Sequence, residues 1–272
     1  MIEECILKYD TRGMKEVRNA LPMDFCREAA DFLRTRMDTV LITTGFYVSG
    51  YCETDGPPGA VLLGEALTDL GSTVGVVTDR YCYEVLKKAR VPFEVYEFPV
   101  TGEKESREYG EELLSRVDPS VMVSIERCGR ARDGRYYNMR ALDISSHTAR
   151  IDVLFDVPWS VGVGDGGNEI GMGNVYDSVK EAVVKGDIIG SVVETTHLVV
   201  SSVSNWGVYG LLAYLSIKED RLLLKSEDDI LSRLVRAGAI DSGSGRHILA
   251  VDGFSLETTN EIIDELKKET ML

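Results

Sequence analysis

The feature that most restricts this chain is a regular alternation, from about residue 39 to residue 217, of short apolar runs with stretches of helical period. Val40-Leu41-Ile42-Thr43, Val74 to Thr78, Phe93 to Phe98, Val121 to Ile125, Trp159 to Val163 and Leu198-Val199-Val200 read as buried strands. Helices are predicted between and after them at Val61 to Leu70, Tyr81 to Ala89, Glu105 to Arg116, about 147–156, about 175–185 and about 206–217. Strands of this kind, separated by helices of about ten residues, bury their apolar side chains best in a parallel sheet covered on both sides. The expected fold class is α/β: a doubly wound, mostly parallel sheet with helices on both faces, in three layers. A helix over about 22–37, with Pro22 in its first turn, precedes the alternation, and helices at about 226–236 and 257–268 follow it. No Pro/Ser-rich linker or repeat divides the chain. Residues 1–272 are expected to form a single domain, with about 220–272 as a peripheral C-terminal helical cap.

Charge narrows the partners. Against 30 Lys+Arg stand 45 Asp+Glu, a formal net charge of -15 whose field repels phosphate backbones and anionic lipid. Neither nucleic acid nor membrane is an expected partner; a small anionic or zwitterionic substrate is, provided local arginines reverse the sign inside one cleft. The five cysteines are odd in number, contain no C-x-x-C pair and read as reduced, buried thiols. Glu3, Glu4, Lys8, Asp10 and Arg12 interrupt any signal-peptide pattern, and no apolar run reaches the roughly 18 residues of a membrane span. A cytoplasmic location is expected. A homo-oligomer is left open, since the apolar stretch 206–217 suits either a core or a dimer interface.

Ligands of open parallel sheets bind beyond the carboxyl ends of the strands, which gives weight to four loops. The first runs from Thr43-Thr44-Gly45-Phe46 to Glu53-Thr54-Asp55-Gly56-Pro57-Pro58-Gly59-Ala60, where a helix starting near Gly59 would offer free N–H groups to an anion. The second, after Ile125, begins with Glu126 and carries five arginines between Arg127 and Arg140, a local reversal of the overall charge. The third is Gly162 to Gly173, containing Gly164-Asp165-Gly166-Gly167-Asn168-Glu169. Its G-x-G-x-x-G spacing is set aside as a dinucleotide site, because Asp165 and Glu169 would stand where a pyrophosphate must lie. Small residues with Asp, Asn and Glu suit a hard cation or a substrate ammonium instead. The fourth is Ser201 to Gly207, where Ser204 or Asn205 is a natural N-cap and Trp206 could wall a pocket. The three histidines show no zinc-hydrolase spacing, and G-x-S-x-G is absent.

T-G-F with E-T-D-G-P-P-G-A, E-R-C-G-R with D-G-R-Y-Y-N-M-R, G-D-G-G-N-E-I-G-M-G, S-N-W-G and V-D-G occur in that order over residues 39–255. Together they resemble the D-glutamate cyclase family, and the glycine-rich stretch is the most specific of them. The resemblance implies a three-layer α/β fold and a lyase converting D-glutamate to 5-oxo-D-proline plus water. It carries no catalytic assignments, so roles come from chemistry. Cyclisation needs a cation or an arginine to polarise the γ-carboxylate, a base for the ammonium and an acid for the leaving oxygen. The catalytic candidates are Asp165, Glu169 and Glu126, with Asp165 and Glu169 also candidate ligands for Mg²⁺ or Mn²⁺; no organic cofactor is expected. Substrate-binding candidates are Gly45, Asp55, Arg127, Arg130, Tyr137, Asn138, Arg140, Gly166, Gly167, Asn168 and Asn205; Glu53, with Asp55 and Glu126, is a second choice for the metal or proton-transfer role, and Asp252 in V-D-G is expected to complete the pocket from the C-terminal segment. A metal-dependent phosphoryl-transfer or phosphate-ester enzyme and a non-catalytic small-molecule sensor remain alternatives.

Overall fold

The computed structural model describes residues 1–271. Helices α1 (Ile2–Ile6), α2 (Met14–Val17) and α3 (Phe25–Arg34) lead into strand β1 (Thr39–Thr44). A hairpin, β2 (Tyr47–Val48) and β3 (Tyr51–Cys52), is followed by α4 (Pro57–Asp69), β4 (Thr73–Thr78), α5 (Arg80–Ala89), β5 (Glu94–Glu97), α6 (Glu103–Val117) and β6 (Val121–Ile125). Then come β7 (Ser160–Gly164), α7 (Tyr176–Ala182), α8 (Gly186–Ile189), β8 (His197–Val200), α9 (Ser204–Glu219) and α10 (Asp228–Ala237). The pair β9 (Ala250–Val251) and β10 (Phe254–Ser255) precedes α11 (Leu256–Thr270).

Six strands form one sheet in the order β5-β4-β1-β6-β7-β8, every pairing parallel. The chain therefore winds outward from β1 in one direction through β4 and β5, then returns to β1's other side and winds through β6, β7 and β8. The loops after β1 and β6 leave the sheet in opposite senses, and the crevice between them is where such sheets take ligands.

Alternation along the strands supplies both faces. Val40, Ile42, Val121, Val123 and Ile125 belong to one core with α3, α4, α9 and α11, while Leu41, Val77 and Met122 belong to a second core with Leu113 of α6. A helix predicted at about 147–156 is instead a 3₁₀ segment, Ile151–Phe155, which covers the second face with Ile151, Leu154 and Phe155. Arg130 and Tyr136 both spend their polar groups on Asp152 within that segment, so side-chain bonds fix the chain where a helix would need regular backbone bonds. Pro22 falls outside its helix, which starts at Phe25 with Asp24 before it. Helix α9 is buried on nearly all sides and packs on α3, α4 and α11, so its apolar sequence is that of a core helix. Trp206 is fully buried against Tyr9 and Phe254 and walls no pocket. The segment after residue 220 packs α10 on α5 and α11 on α9, and residues 242–245 with Asp252 reach over the strand ends.

Candidate active site

A cavity of about 470 Å³ opens at the carboxyl ends of β1 and β6. Glu126 enters it directly after β6, and Asn138, Met139, Arg140 and Leu142 enter from further along the same loop. Asn168 comes from the glycine-rich loop after β7, Phe46, Val48, Ser49 and Glu53 from the hairpin side, and Ser242 to Gly245 with Asp252 from the C-terminal segment. The last lining residue is Arg12, between α1 and α2. The two loops on which the sequence reading rested thus share one crevice.

Two helix N-termini meet behind the cavity and cap each other. Asp55, just before α4, accepts from the N–H groups of Ser204 and Asn205 at 2.8 and 2.9 Å and so caps α9. In return the Asn205 side-chain oxygen accepts from Gly56 N and Gly59 N at 2.9 and 3.0 Å, capping α4. Asn205 is therefore the cap of another helix and not of its own, and the free N–H groups expected near Gly59 are already bonded. Gly56 makes this approach sterically feasible: its φ is +95°, and a Cβ there would lie 2.6 Å from Thr44 Oγ1 and 2.8 Å from the Glu126 Cβ. Asn205→Ala is expected to lose about 0.5–2 kcal/mol of stability by chemical denaturation, the range of a lost cap. No measurable loss would mean that water replaces the cap at no cost.

The glycine-rich loop is organised from within. Glu169 is fully buried and accepts from the backbone N–H groups of Asp165, Gly166 and Gly167 at 3.1, 2.6 and 2.8 Å. Both of its oxygens are taken, which makes it a holder of the loop's shape. Asp165, also fully buried, keeps Oδ2 without a partner, while its Oδ1 receives Arg12 Nη1 at 2.6 Å. The same Nη1 lies 2.9 Å from Asp252, whose side chain is 5% exposed. Carboxylate oxygens of Asp55, Asp165 and Asp252, and of Glu126, Asp165 and Glu169, converge within 4.8 Å in two groups that share Asp165. Glu126 and Asp252 both sit in the left-handed backbone region, φ +47° and +52°, a cost that non-glycine residues bear where a side chain must be aimed.

Other predicted residues lie elsewhere. Arg127 is 1% exposed and pairs with Asp79 at 2.6 Å, donating also to the carbonyls of Gly45 and Ala149. It faces the protein interior, and Gly45 serves that contact and the close approach of Cys82. Arg130 pairs with Asp152 at 2.7 Å. Tyr137 donates its hydroxyl to Asp133, and its carbonyl accepts from the Asn168 side-chain amide, so it supports the wall from behind. Arg140 is exposed at the rim with no carboxylate partner among the described residues. Sequence reasoning missed Arg12 and the Ser242–Gly245 loop. A lone arginine in a short turn has no pattern to find it by, whereas the Ser-Gly repeat beside V-D-G was a legible signal.

Residues 2–267 match the family described as D-glutamate cyclase-like, C-terminal. The chain belongs to the D-glutamate cyclase-like family. It is 37% identical over 206 residues to the Homo sapiens protein named "D-glutamate cyclase, mitochondrial", an alignment covering 66% of this chain and 33% of that relative. The chain thus spans about a third of the length of the curated relative it matches.

In this member of the D-glutamate cyclase-like family, burial and charge set apart the acids that line the cavity, Glu53, Glu126 and Asp252, and the fully buried acids behind its wall, Asp55 and Asp165. Burial, reinforced by neighbouring carboxylates, lifts Glu53 and Glu126 well above the usual range, and it lifts Asp55 to about 8. Burial also raises Asp165 despite the Arg12 guanidinium. At Asp252 burial works the same way but is outweighed by Arg12 and the Ser242 hydroxyl, so its carboxyl lies below the usual range. Carboxyls shifted in opposite directions side by side are what a site needs to give and take protons at one pH.

Behind Asn205, Glu227 is fully buried, receives the Tyr209 hydroxyl, and is raised by burial from 4.5 to about 7. Because the folded value is the higher one, its contribution to stability is complete below about pH 4.5 and is lost as pH rises through about 7. The unfolded chain releases this proton first, which costs up to about 1.4 kcal/mol per pH unit within that window. Glu227→Gln is expected to show a shallower fall in unfolding free energy than the wild type across the window. Identical slopes would contradict the assignment.

Proposed function

We propose that this chain is a D-glutamate cyclase-like lyase, interconverting D-glutamate and 5-oxo-D-proline plus water in the cavity at the ends of β1 and β6. The observation that carries the reading is the charge arrangement of that cavity: Glu53, Glu126 and Asp252 share it with two guanidinium groups, Arg12 within and Arg140 at the rim. A dicarboxylate bearing one ammonium group complements such a lining, and a curled substrate would bring its own amine onto its own γ-carbon.

Ring closure forms the N–C bond and breaks one C–O bond. The ammonium nitrogen gives up two protons in becoming an amide N–H, and the departing oxygen takes two in leaving as water, so no net proton is consumed. Glu126 is assigned the first proton, since it enters the cavity directly after β6 and the Ser204 hydroxyl engages only its Oε2. Asp165, raised and with Oδ2 unpartnered, is assigned delivery to the leaving oxygen. Glu169 positions Asp165 through the loop. In place of those two proton roles, the Asp165 oxygen and Glu126 would as ionised carboxylates hold Mg²⁺ or Mn²⁺, which is bound by one or two carboxylates plus substrate and water and would polarise the γ-carboxylate. All five cysteines are free and buried, which accords with a reducing compartment such as the cytoplasm, and no helix among the described residues is long and apolar enough to cross a membrane.

The test is incubation of the full chain with D-glutamate, with and without Mn²⁺, following 5-oxoproline by chromatography against an L-glutamate control. Turnover of the D-isomer supports the reading. No turnover, with thermal stabilisation by nucleotides or phosphate and none by D-glutamate, would replace it with a phosphate-ester enzyme or a sensor.

A further inference from the structure

Arg12 has more donors than its protein partners use. Only Nη1 is engaged, by Asp165 at 2.6 Å and Asp252 at 2.9 Å. Among the described residues Nε and Nη2 make no hydrogen bond to protein, yet the side chain lines the cavity and remains 27% exposed. A guanidinium presents Nε–H and one Nη2–H as two parallel donors along one edge, the spacing of a carboxylate's two oxygens. Asp165 and Asp252 hold the opposite end, so the side chain is anchored before any ligand arrives. Such preorganisation removes the rotamer cost that a free surface arginine would bear.

We propose that the Nε–Nη2 edge of Arg12 is a carboxylate-binding fork, and that it receives the γ-carboxylate on which ring closure occurs. The second half rests on the cyclase reading; the first does not. Asp165 holds Nη1 of the same guanidinium, so the fork and the acid assigned to the leaving oxygen are fixed to one planar group. Arg140, at the rim and without a carboxylate partner, is left for the α-carboxylate. The fork would thus select substrates for a second carboxylate, and an amide in its place would offer only one acceptor to two donors.

The experiment measures binding by calorimetry in the wild type and in Arg12→Lys, which keeps the charge that Asp165 and Asp252 require but has no fork. The probes are glutarate, which has two carboxylates and no amine, D-glutamate, and D-glutamine, which lacks the γ-carboxylate. The variant is expected to lose about tenfold or more in affinity for glutarate and D-glutamate, while the weaker D-glutamine binding stays unchanged. Equal losses for D-glutamate and D-glutamine, or no loss for glutarate, would overturn the proposal. Glutarate binding that depends on Arg12 in a protein that does not cyclise D-glutamate would sustain the fork and remove the cyclase reading. Wild-type protein that binds none of the three probes would remove both. Should Arg12→Lys not fold, nuclear magnetic resonance of the wild type decides: the Arg12 Nε–H signal is expected to move downfield on adding glutarate, and a stationary signal would overturn the fork.

Discussion

Replacing Glu126 with glutamine is expected to lower D-glutamate turnover by about 10²–10⁴-fold, the usual contribution of a positioned general base, with little change in melting temperature. Glu126 leaves β6 at its carboxyl end, is 6% exposed and lines the cavity. Its Oε2 is held by the Ser204 hydroxyl at 2.5 Å, which leaves Oε1 to the substrate. Glutamine has nearly the same shape and can still accept from Ser204, so substrate binding and fold should persist while proton abstraction does not. The informative pattern is a fall in kcat with KM nearly unchanged. A fall in KM-determined binding alone would make Glu126 a substrate contact, and full activity would move the base to Glu53 or Asp252.

The second large effect concerns stability. Arg127→Leu is expected to cost about 3–5 kcal/mol by urea denaturation, because it leaves Asp79 buried without its partner. Asp79 is 2% exposed and also caps α5 through Tyr81 N, so it cannot turn toward water without releasing that helix. Arg127 further ties the carbonyl of Gly45 after β1 to that of Ala149 before the 3₁₀ segment. Its loss would therefore loosen both walls of the crevice. The double variant Arg127→Leu with Asp79→Asn should recover part of the stability, since no isolated charge then remains. Recovery of nothing would mean that the two carbonyl contacts, and not the ion pair, carry the effect.

The sheet was legible in the sequence because both-face burial imposes a run pattern that survives local irregularity: Val40 to Thr43 and Val121 to Ile125 appear as strands with boundaries nearly intact. What replaced the helix at 147–156 was not legible, since it depends on Asp152 meeting Arg130 and Tyr136 from far along the chain. The acids of the site were visible as residues at strand ends. The roles of Asp55 and Asn205 were not, because each caps a helix that begins about 150 residues away in sequence and only the parallel sheet brings the two together. Arg127 illustrates the opposite limit. An arginine in a cluster reads as a ligand group from sequence, and only its burial against Asp79 reveals a structural one. Arg12 was hidden because nothing local marks a side chain whose partners, Asp165 and Asp252, lie on two distant loops.

The most direct test is a crystal structure grown with 5-oxo-D-proline. The expected result is the ligand in the crevice between β1 and β6, its ring nitrogen toward Glu126, its carboxylate toward Arg140 and its lactam oxygen toward Arg12. Ligand bound elsewhere, such as the basic groove of Lys88, Arg90, Arg233 and Arg236, with only water beside Glu126 and Asp165, would contradict the assignment of this crevice as the site of chemistry.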